Sequence, residues 1–366
     1  MEGERGRRGE GELGGIAFEG RQPLSSLLTP HSSPLPTRSA LDTSLTQSSV
    51  LSPQSFSFTP SRQDPIHWLS KDLKTRFGGN VRKASLDAGF TCPNRDGTLR
   101  TGGCVWCDPS GSGPDDLAAG EPWPERLRRL ASAALDRGDK GVIAYFQAYT
   151  NTHGADPGNL ERAWRSALAV PGVLGLAVGT RPDCLPPPVL DLFEEMGRGT
   201  FLWVEIGMQT SCDHTLEASN RGHGHAVTVA AVEALKTRGL RVVLHLILGL
   251  PGEDKETILA SLAEAARLRP WGVKFHPLHV VRGSAIEKDW REGNLPLLDL
   301  DGYARLAADG LELLPPETTV HRLTGERPGG LLLAPEWCRD KHRTLGAIQR
   351  ELARRQSWQG SRWPAR

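Results

Sequence analysis

FLWVEIGMQTSCDHTLEASNRGHGHAVTVAAVEALKTRGLRVVLHLILG, residues 201–249, holds the pattern that decides the fold. In 201–209 the even positions Leu202, Val204, Ile206 and Met208 are all apolar, and the odd positions include Glu205, Gly207 and Gln209. A period of two puts these sets on opposite faces of a strand. HAVTVAAVEALKTRG then reads as a helix. RVVLHLILG (241–249) is a second strand, with Leu244, Leu246 and Leu248 on one face and Val243, His245 and Ile247 on the other. Two strands joined through a helix run parallel.

The same unit recurs on both sides. VIAYFQAY (142–149), LGLAVGT (174–180), GVKFHPLHV (272–280) and a weaker TTVHRLT (318–324) read as strands. PERLRRLASAALDRG, PPVLDLFEEMG, KETILASLAEAARL and DGYARLAADGLELL supply helices between and around them. Six strands with crossover helices predict an α/β fold, a partial (β/α)6 TIM-like barrel open on one side. Tyr145, Gln147, Glu205, Gln209, His245, Lys274 and His276 fall on the polar faces, near the C-terminal strand ends where a barrel keeps its active site. A doubly wound sheet is the structural alternative at this stage.

The chain has 366 residues, net charge +1, and 38% hydrophobic and 24% charged residues. Such a balance argues neither for nor against nucleic acid. No apolar run reaches the roughly 20 residues of a membrane-spanning helix, and the N-terminus lacks a secretory core, so a cytoplasmic protein is expected. Residues 1–62 are rich in Ser, Thr and Pro without periodicity, and read as a disordered tail. The core domain is expected over 63–315, with a C-terminal extension at 316–366 that ends in a basic tail.

GFTCPNRDGTLRTGGCVWC contains Cys92, Cys104 and Cys107. Cys-x-x-Cys lets two thiolates bind one metal centre from a single turn, and Gly102-Gly103 lets the backbone wrap close to it. Three thiolates suit an iron–sulfur cluster with one open iron, or a zinc site completed by a fourth ligand. No histidine lies in the loop, the next being His153, so a cluster with an open position fits better.

This loop occurs together with QAYTNT (147–152), GTRPDC (179–184), VEIGMQT (204–210), NRGH (220–223), HLILGLPGE (245–253), KFHPLHV (274–280) and LLAPEWCRDKH (332–342). In this combination the chain resembles the YhcC-type radical S-adenosylmethionine (SAM) proteins, whose core is similar to the radical SAM domain of the elongator catalytic subunit. The resemblance spans roughly Trp68 to His342. The common radical SAM signature has three residues between its first two cysteines, whereas eleven stand here, as in the elongator-like branch. No acetyltransferase-sized segment follows the core, so the elongator's second activity is not expected.

The resemblance implies a [4Fe–4S] cluster on the three cysteines, SAM on its open iron, and a reducing electron donor. It also implies that Gln147, Thr150 and Asn151 lie near the SAM amino group, and that Gln209 and Arg221 contact its methionine or ribose part. Glu205 and His245 are taken as further inward cofactor contacts, and a guanidinium at Arg221 could pair with the SAM carboxylate in bidentate fashion. GLPGE (249–253) is expected to turn near adenine, with Glu253 favouring the helix start. The elongator-like core suggests RNA, tRNA in particular, as substrate. From Arg339 to Arg366 eight Lys or Arg with Trp358 and Trp363 read either as an RNA-backbone patch or as a solvated helix end. A small-molecule or peptide substrate is the first alternative, and a zinc-bearing nucleic-acid module without catalysis the second.

Overall fold

The computed structural model describes residues 58–111, 113, 121–325 and 330–364; most of the expected N-terminal tail lies outside them. Seven parallel strands form one sheet: β1 (Val81–Leu86), β2 (Gly141–Phe146), β3 (Val173–Thr180), β4 (Phe201–Gln209), β5 (Arg241–Leu248), β6 (Gly272–Pro277) and β8 (Thr319–Arg322). Their spatial order is their sequence order. No point exists where the winding reverses, so the helices lie on one face and the sheet curls into a half-barrel. This settles the choice against a doubly wound sheet.

The sequence reading counted six strands, and among the described residues the parallel sheet has seven. The missing one is VRKASL, β1, which pairs with β2 from Val81↔Gly141 to Leu86↔Phe146. Its apolar residues Ala84 and Leu86 are buried under the helices, while Ser85 lines the cavity inside the curl and the Lys83 ammonium stands over the Tyr145 ring. A strand whose inward side is cationic and polar looks like a loop in one dimension. A second difference concerns 272–280, which breaks after Pro277; Val280–Val281 (β7) pairs antiparallel with Leu332–Ala334 (β9) in a separate ribbon. The last sheet strand also lies beyond residue 315, because Val320 and Leu323 are needed to continue the buried layer.

The α-helices of the described residues are α1 (Leu69–Phe77), α2 (Trp123–Asp136), α3 (Pro157–Leu168), α4 (Pro187–Gly199), α5 (Asp213–Ala218), α6 (His225–Thr237), α7 (Lys255–Arg267), α8 (Ile286–Arg291), α9 (Leu300–Leu313) and α10 (Lys341–Arg355). Asp156, Asp254, Asp299 and Asp340 accept backbone N–H bonds from the first turns of α3, α7, α9 and α10. Each satisfies an otherwise unpaired helix-end donor and contributes roughly 1 kcal/mol. The main core lies between helices and sheet, and takes Leu202, Val204, Ile206 and Met208 from β4 as the alternation requires.

A second, smaller core fills the N-terminal mouth of the curl. Phe201, Trp203, Ile143 and Val243 pack there with Leu69 and Leu73 of α1. Trp271 and Phe77 seal it, with ring centroids 5.5 Å from Trp203 and 5.4 Å from Phe201 respectively. Helix α1 packs on both β1 and β8, the two sheet edges, and so covers the open seam. The barrel therefore has an apolar floor, and only its C-terminal end is free for chemistry.

The C-terminal segment is part of this structure. Gln359 is fully buried; its Oε1 accepts from the His67 N–H at 3.0 Å, and its Nε2 donates to Thr318 O at 2.6 Å and Pro315 O at 3.2 Å. Arg355 reaches Asp309, Glu312 and Glu351, and Arg354 and Arg362 are also paired. Much of the tail's charge is thus spent within the chain. Gln359→Ala leaves the His67 N–H and the Thr318 carbonyl unsatisfied, and should lower stability by about 2–4 kcal/mol in a denaturant titration. A change below about 0.5 kcal/mol would contradict this anchoring role.

Candidate active site

The cysteine loop follows β1 directly. Cys107 N–H donates to Cys104 O at 2.9 Å, closing the Cys-x-x-Cys turn, and Gly102 and Gly103 take φ of 80° and 82°. Those values are open to glycine and strained for other residues. The NRGH segment holds the loop in place. Asn220 Nδ2 donates to Thr101 O and Gly103 O at 3.0 and 2.8 Å, and Asn94 Nδ2 donates back to Arg221 O at 3.0 Å. His153, the next histidine after the loop, bonds Asp96 of the loop at 2.7 Å.

Cys92, Cys104 and Cys107 open onto one cavity of about 540 Å³ at the C-terminal ends of the strands. Among the described residues no three His, Cys, Asp or Glu side chains are gathered tightly enough for a single metal ion, so the thiols share a wall rather than a point. Of the other expected site residues, Gln147, Thr150, Glu205, Gln209, Arg221 and His245 line the same cavity. Asn151 stands behind the wall. Its Nδ2 donates to Phe146 O and Gly179 O at 3.0 and 2.9 Å, tying the ends of β2 and β3 together.

Three guanidiniums surround the thiols. Arg95 donates to the carbonyls of Cys107 and Asp108 at 3.2 and 2.6 Å. Arg181, almost wholly buried, grips Asp183 through two bonds of 2.9 and 2.7 Å and also donates to Arg221 O at 2.7 Å. Arg221 donates to Gly207 O at 2.7 Å and points Nη1 at Cys104 Sγ, 3.6 Å away. One side of its fork is therefore already used. Arg95 and Arg181 carried no assigned role in the sequence reading, and GTRPDC offered the only hint of the second. Burial pushes the metal-free Cys107 thiol up to about 11, with the Arg95 charge opposing that rise.

Glycine makes room at the wall. A Cβ on Gly207 would lie 2.6 Å from Gln209 Nε2 and 2.9 Å from Arg221 Nη2. Gln209 itself sits at φ 68°, where the ladder between β4 and β5 is irregular, so its side chain leaves the strand line and turns into the cavity. Thr150 Oγ1, Arg181 Nη1 and Arg221 Nε are buried without partners. Orphaned donors and acceptors on the wall of one cavity are what a polar ligand would satisfy.

Below them lies a closed polar layer. Glu205 Oε2 accepts from Tyr145 at 2.5 Å, from His245 Nε2 at 2.7 Å and from Lys274, and Oε1 accepts from Trp203 Nε1 at 2.9 Å. The opposing Lys274 charge holds Glu205 well below the usual carboxylate range despite its burial, and burial holds His245 down to about 4. Glu253, expected to start α7, instead accepts from Thr210 at 2.5 Å, and Asp254 caps that helix.

The sign of the resulting pH dependence is fixed. A histidine depressed in the fold stabilises it above its unfolded value of about 6.5, and that contribution is lost as pH falls toward 4. Glu205, also depressed, adds a loss below its own unfolded value. His245 alone should cost on the order of 2 kcal/mol by pH 5. A thermal midpoint that is flat between pH 7.5 and 5, or equally pH-dependent in His245→Gln, would contradict this.

The Radical SAM superfamily profile matches residues 92–265, and the Radical_SAM C-terminal domain profile matches 270–354. YtqA of Bacillus subtilis is 40% identical over 301 residues, covering 80% of this chain and 91% of its own. YhcC of Escherichia coli K12 is 38% identical over 291 residues, covering 79% and 93%. This chain belongs to the radical SAM superfamily. A tRNA uridine(34) acetyltransferase of Dehalococcoides mccartyi is 30% identical over 190 residues, 51% of this chain and 41% of that protein. Among solved structures, the archaeal Methanocaldococcus infernus Elp3 superposes with a TM-score of 0.56 at 16% identity, over 75% of this chain and 63% of that one, which speaks to the fold.

The cofactors of this radical SAM enzyme are a [4Fe–4S] cluster and SAM, and the residues present fit both. Three thiols with guanidiniums beside them suit a thiolate-ligated, negatively charged cluster. The unpartnered polar atoms suit the amino acid and ribose groups of SAM. Among the described residues no helix is long and apolar enough to cross a membrane.

Proposed function

We propose that Cys92, Cys104 and Cys107 ligate the cluster, that Gln147, Thr150 and Gln209 hold SAM beside it, and that the enzyme acts on RNA, with tRNA as the class. The observation carrying the site assignment is the single cavity that joins the three thiols to buried, unpartnered polar atoms. A reduced cluster held by these cysteines would supply the one-electron chemistry that cleaves SAM reductively, as expected of a radical SAM enzyme.

The chain's own residues do the rest. The β4 irregularity turns Gln209 toward the ligand, and Thr150 Oγ1 offers it an unspent hydroxyl. Arg221 faces the Cys104 sulfur, where it offsets thiolate charge rather than forming a two-bonded clamp on a carboxylate. Glu205 and His245 act as a scaffold under the cavity, since both Glu205 oxygens already accept bonds from the chain. The apolar floor excludes water from below.

RNA is supported by the similarity to the tRNA uridine(34) acetyltransferase and by an exposed face of α10 where Arg343 and Arg350 have no ion-pair partner among the described residues. The test is anaerobic reconstitution with iron and sulfide, then measurement of 5′-deoxyadenosine with and without bulk tRNA. Formation that rises several-fold with tRNA, and falls back in Arg343→Glu/Arg350→Glu, is the expected result. Formation indifferent to tRNA favours a small-molecule or peptide substrate. Zinc uptake without iron would remove the catalytic reading altogether.

A further inference from the structure

The three sulfurs of the cysteine loop have unequal surroundings. The buried Cys104 Sγ faces two N–H donors, Asn94 Nδ2 and Arg221 Nη1, each at 3.6 Å. Both donors are themselves buried. Cys107 Sγ faces an acceptor instead, Asp108 O at 3.6 Å. Among the described residues no N–H donates to the Cys92 sulfur.

Both donors to Cys104 are held from behind. Asn94 Nδ2 also donates to Asn220 O and, at 3.0 Å, to Arg221 O. Three acceptors therefore surround this nitrogen, and the amide presents N–H to the sulfur rather than its oxygen. Arg221 Nη2 is tied to Gly207 O at 2.7 Å, and the Arg221 carbonyl accepts from Arg181 at 2.7 Å. A Cβ on Gly207 would press on the same fork, 2.9 Å from Nη2. One donor comes from the loop and the other from beyond α5, and they converge on a single sulfur.

An N–H donor stabilises negative charge on a sulfur, and a cationic donor does so more strongly. Burial strengthens both effects. Reduction adds a negative charge to whatever these cysteines hold, so donors fixed at a ligand sulfur favour the reduced form.

We infer that Asn94 and Arg221 raise the reduction potential of the cluster through the Cys104 sulfur. They act through a ligand and are positioning residues. The inference rests on the assignment of the three cysteines as cluster ligands and adds how the chain tunes what they hold.

The test uses the full-length protein reconstituted anaerobically with iron and sulfide, without SAM, and reads the midpoint potential in an EPR-monitored redox titration. Arg221→Met should shift the reduction equilibrium at least tenfold toward the oxidised form, about 59 mV for one electron. Asn94→Leu should lower the midpoint by less, since a neutral donor is weaker than a charged one. Arg221→Lys keeps the charge and should fall between wild type and Arg221→Met. A merely structural role predicts the opposite sign, because a loosened loop admits water and water stabilises the added charge.

A shift of less than tenfold in Arg221→Met, or a midpoint unchanged or raised in Asn94→Leu, overturns the inference and leaves the cluster assignment standing. Where a variant fails to fold or to load, the reduced wild type prepared with heavy-nitrogen arginine decides. An arginine nitrogen coupling in pulsed EPR supports the inference, and its absence overturns it. Zinc uptake without iron overturns both this inference and the cluster assignment.

Discussion

Cys104→Ala should reduce 5′-deoxyadenosine formation by more than about 100-fold, since even partners beyond the ligands cost 10- to 100-fold at metal sites. The same variant should stay folded. Cys104 sits in a loop held by Asn220 and Asn94 through backbone atoms, and neither core draws on it. Loss of the iron–sulfur absorbance with an unchanged far-UV spectrum is the expected pair of readouts. Cys184→Ala and Cys338→Ala form the control. Both thiols are buried away from the cavity wall, and burial pushes each up to about 12, which leaves them protonated and inert at neutral pH. Activity surviving Cys104→Ala, or a comparable loss in the two controls, would contradict the assignment of the cluster ligands.

Glu205→Gln should destabilise the fold by about 3–5 kcal/mol, the usual cost of stripping the partner from a buried charge. Both carboxylate oxygens are engaged, and Lys274 beside it is only 3% exposed. Without the carboxylate, the Lys274 ammonium loses its bonded counter-charge and is repelled by Lys83, which shares the Tyr145 ring with it. For a chain of this size the midpoint should drop by roughly 5–10 °C. Glu205→Gln/Lys274→Met should recover more than half of that loss, because removing both charges restores neutrality. A single variant within 1 kcal/mol of wild type, or a double variant worse than the single, would show that the pair is not coupled.

Most of the fold was legible because buried parallel strands and amphipathic helices differ in period, and LWVEIGMQ or LHLIL announces its faces in one dimension. The reading failed where that signal is inverted. In VRKASL the inward positions are Lys83 and Ser85, so the strand that begins the sheet carries its polarity toward the cavity and resembles a turn. A test for short alternation just ahead of the cysteine loop would have found it. The basic tail misled in the opposite way. Its charges suggested a free surface, but Arg354, Arg355 and Arg362 find carboxylates brought by α9 and α10, and Gln359 closes the barrel floor.

The sequence by itself pointed to a metal centre, because three cysteines at fixed spacing on a glycine-rich loop are local; that the centre is a cluster serving SAM was implied by the resemblance to the radical SAM proteins. It also determined which strand positions face inward. Only the tertiary structure decided which inward groups are spent and which are free. Glu205 and Asn151 spend hydrogen bonds within the chain, whereas Thr150, Arg181 and Arg221, from three different strand ends, gained meaning when the curl set their unpartnered atoms on one wall. Charge balance in a cavity depends on distance through space, and no one-dimensional pattern records that.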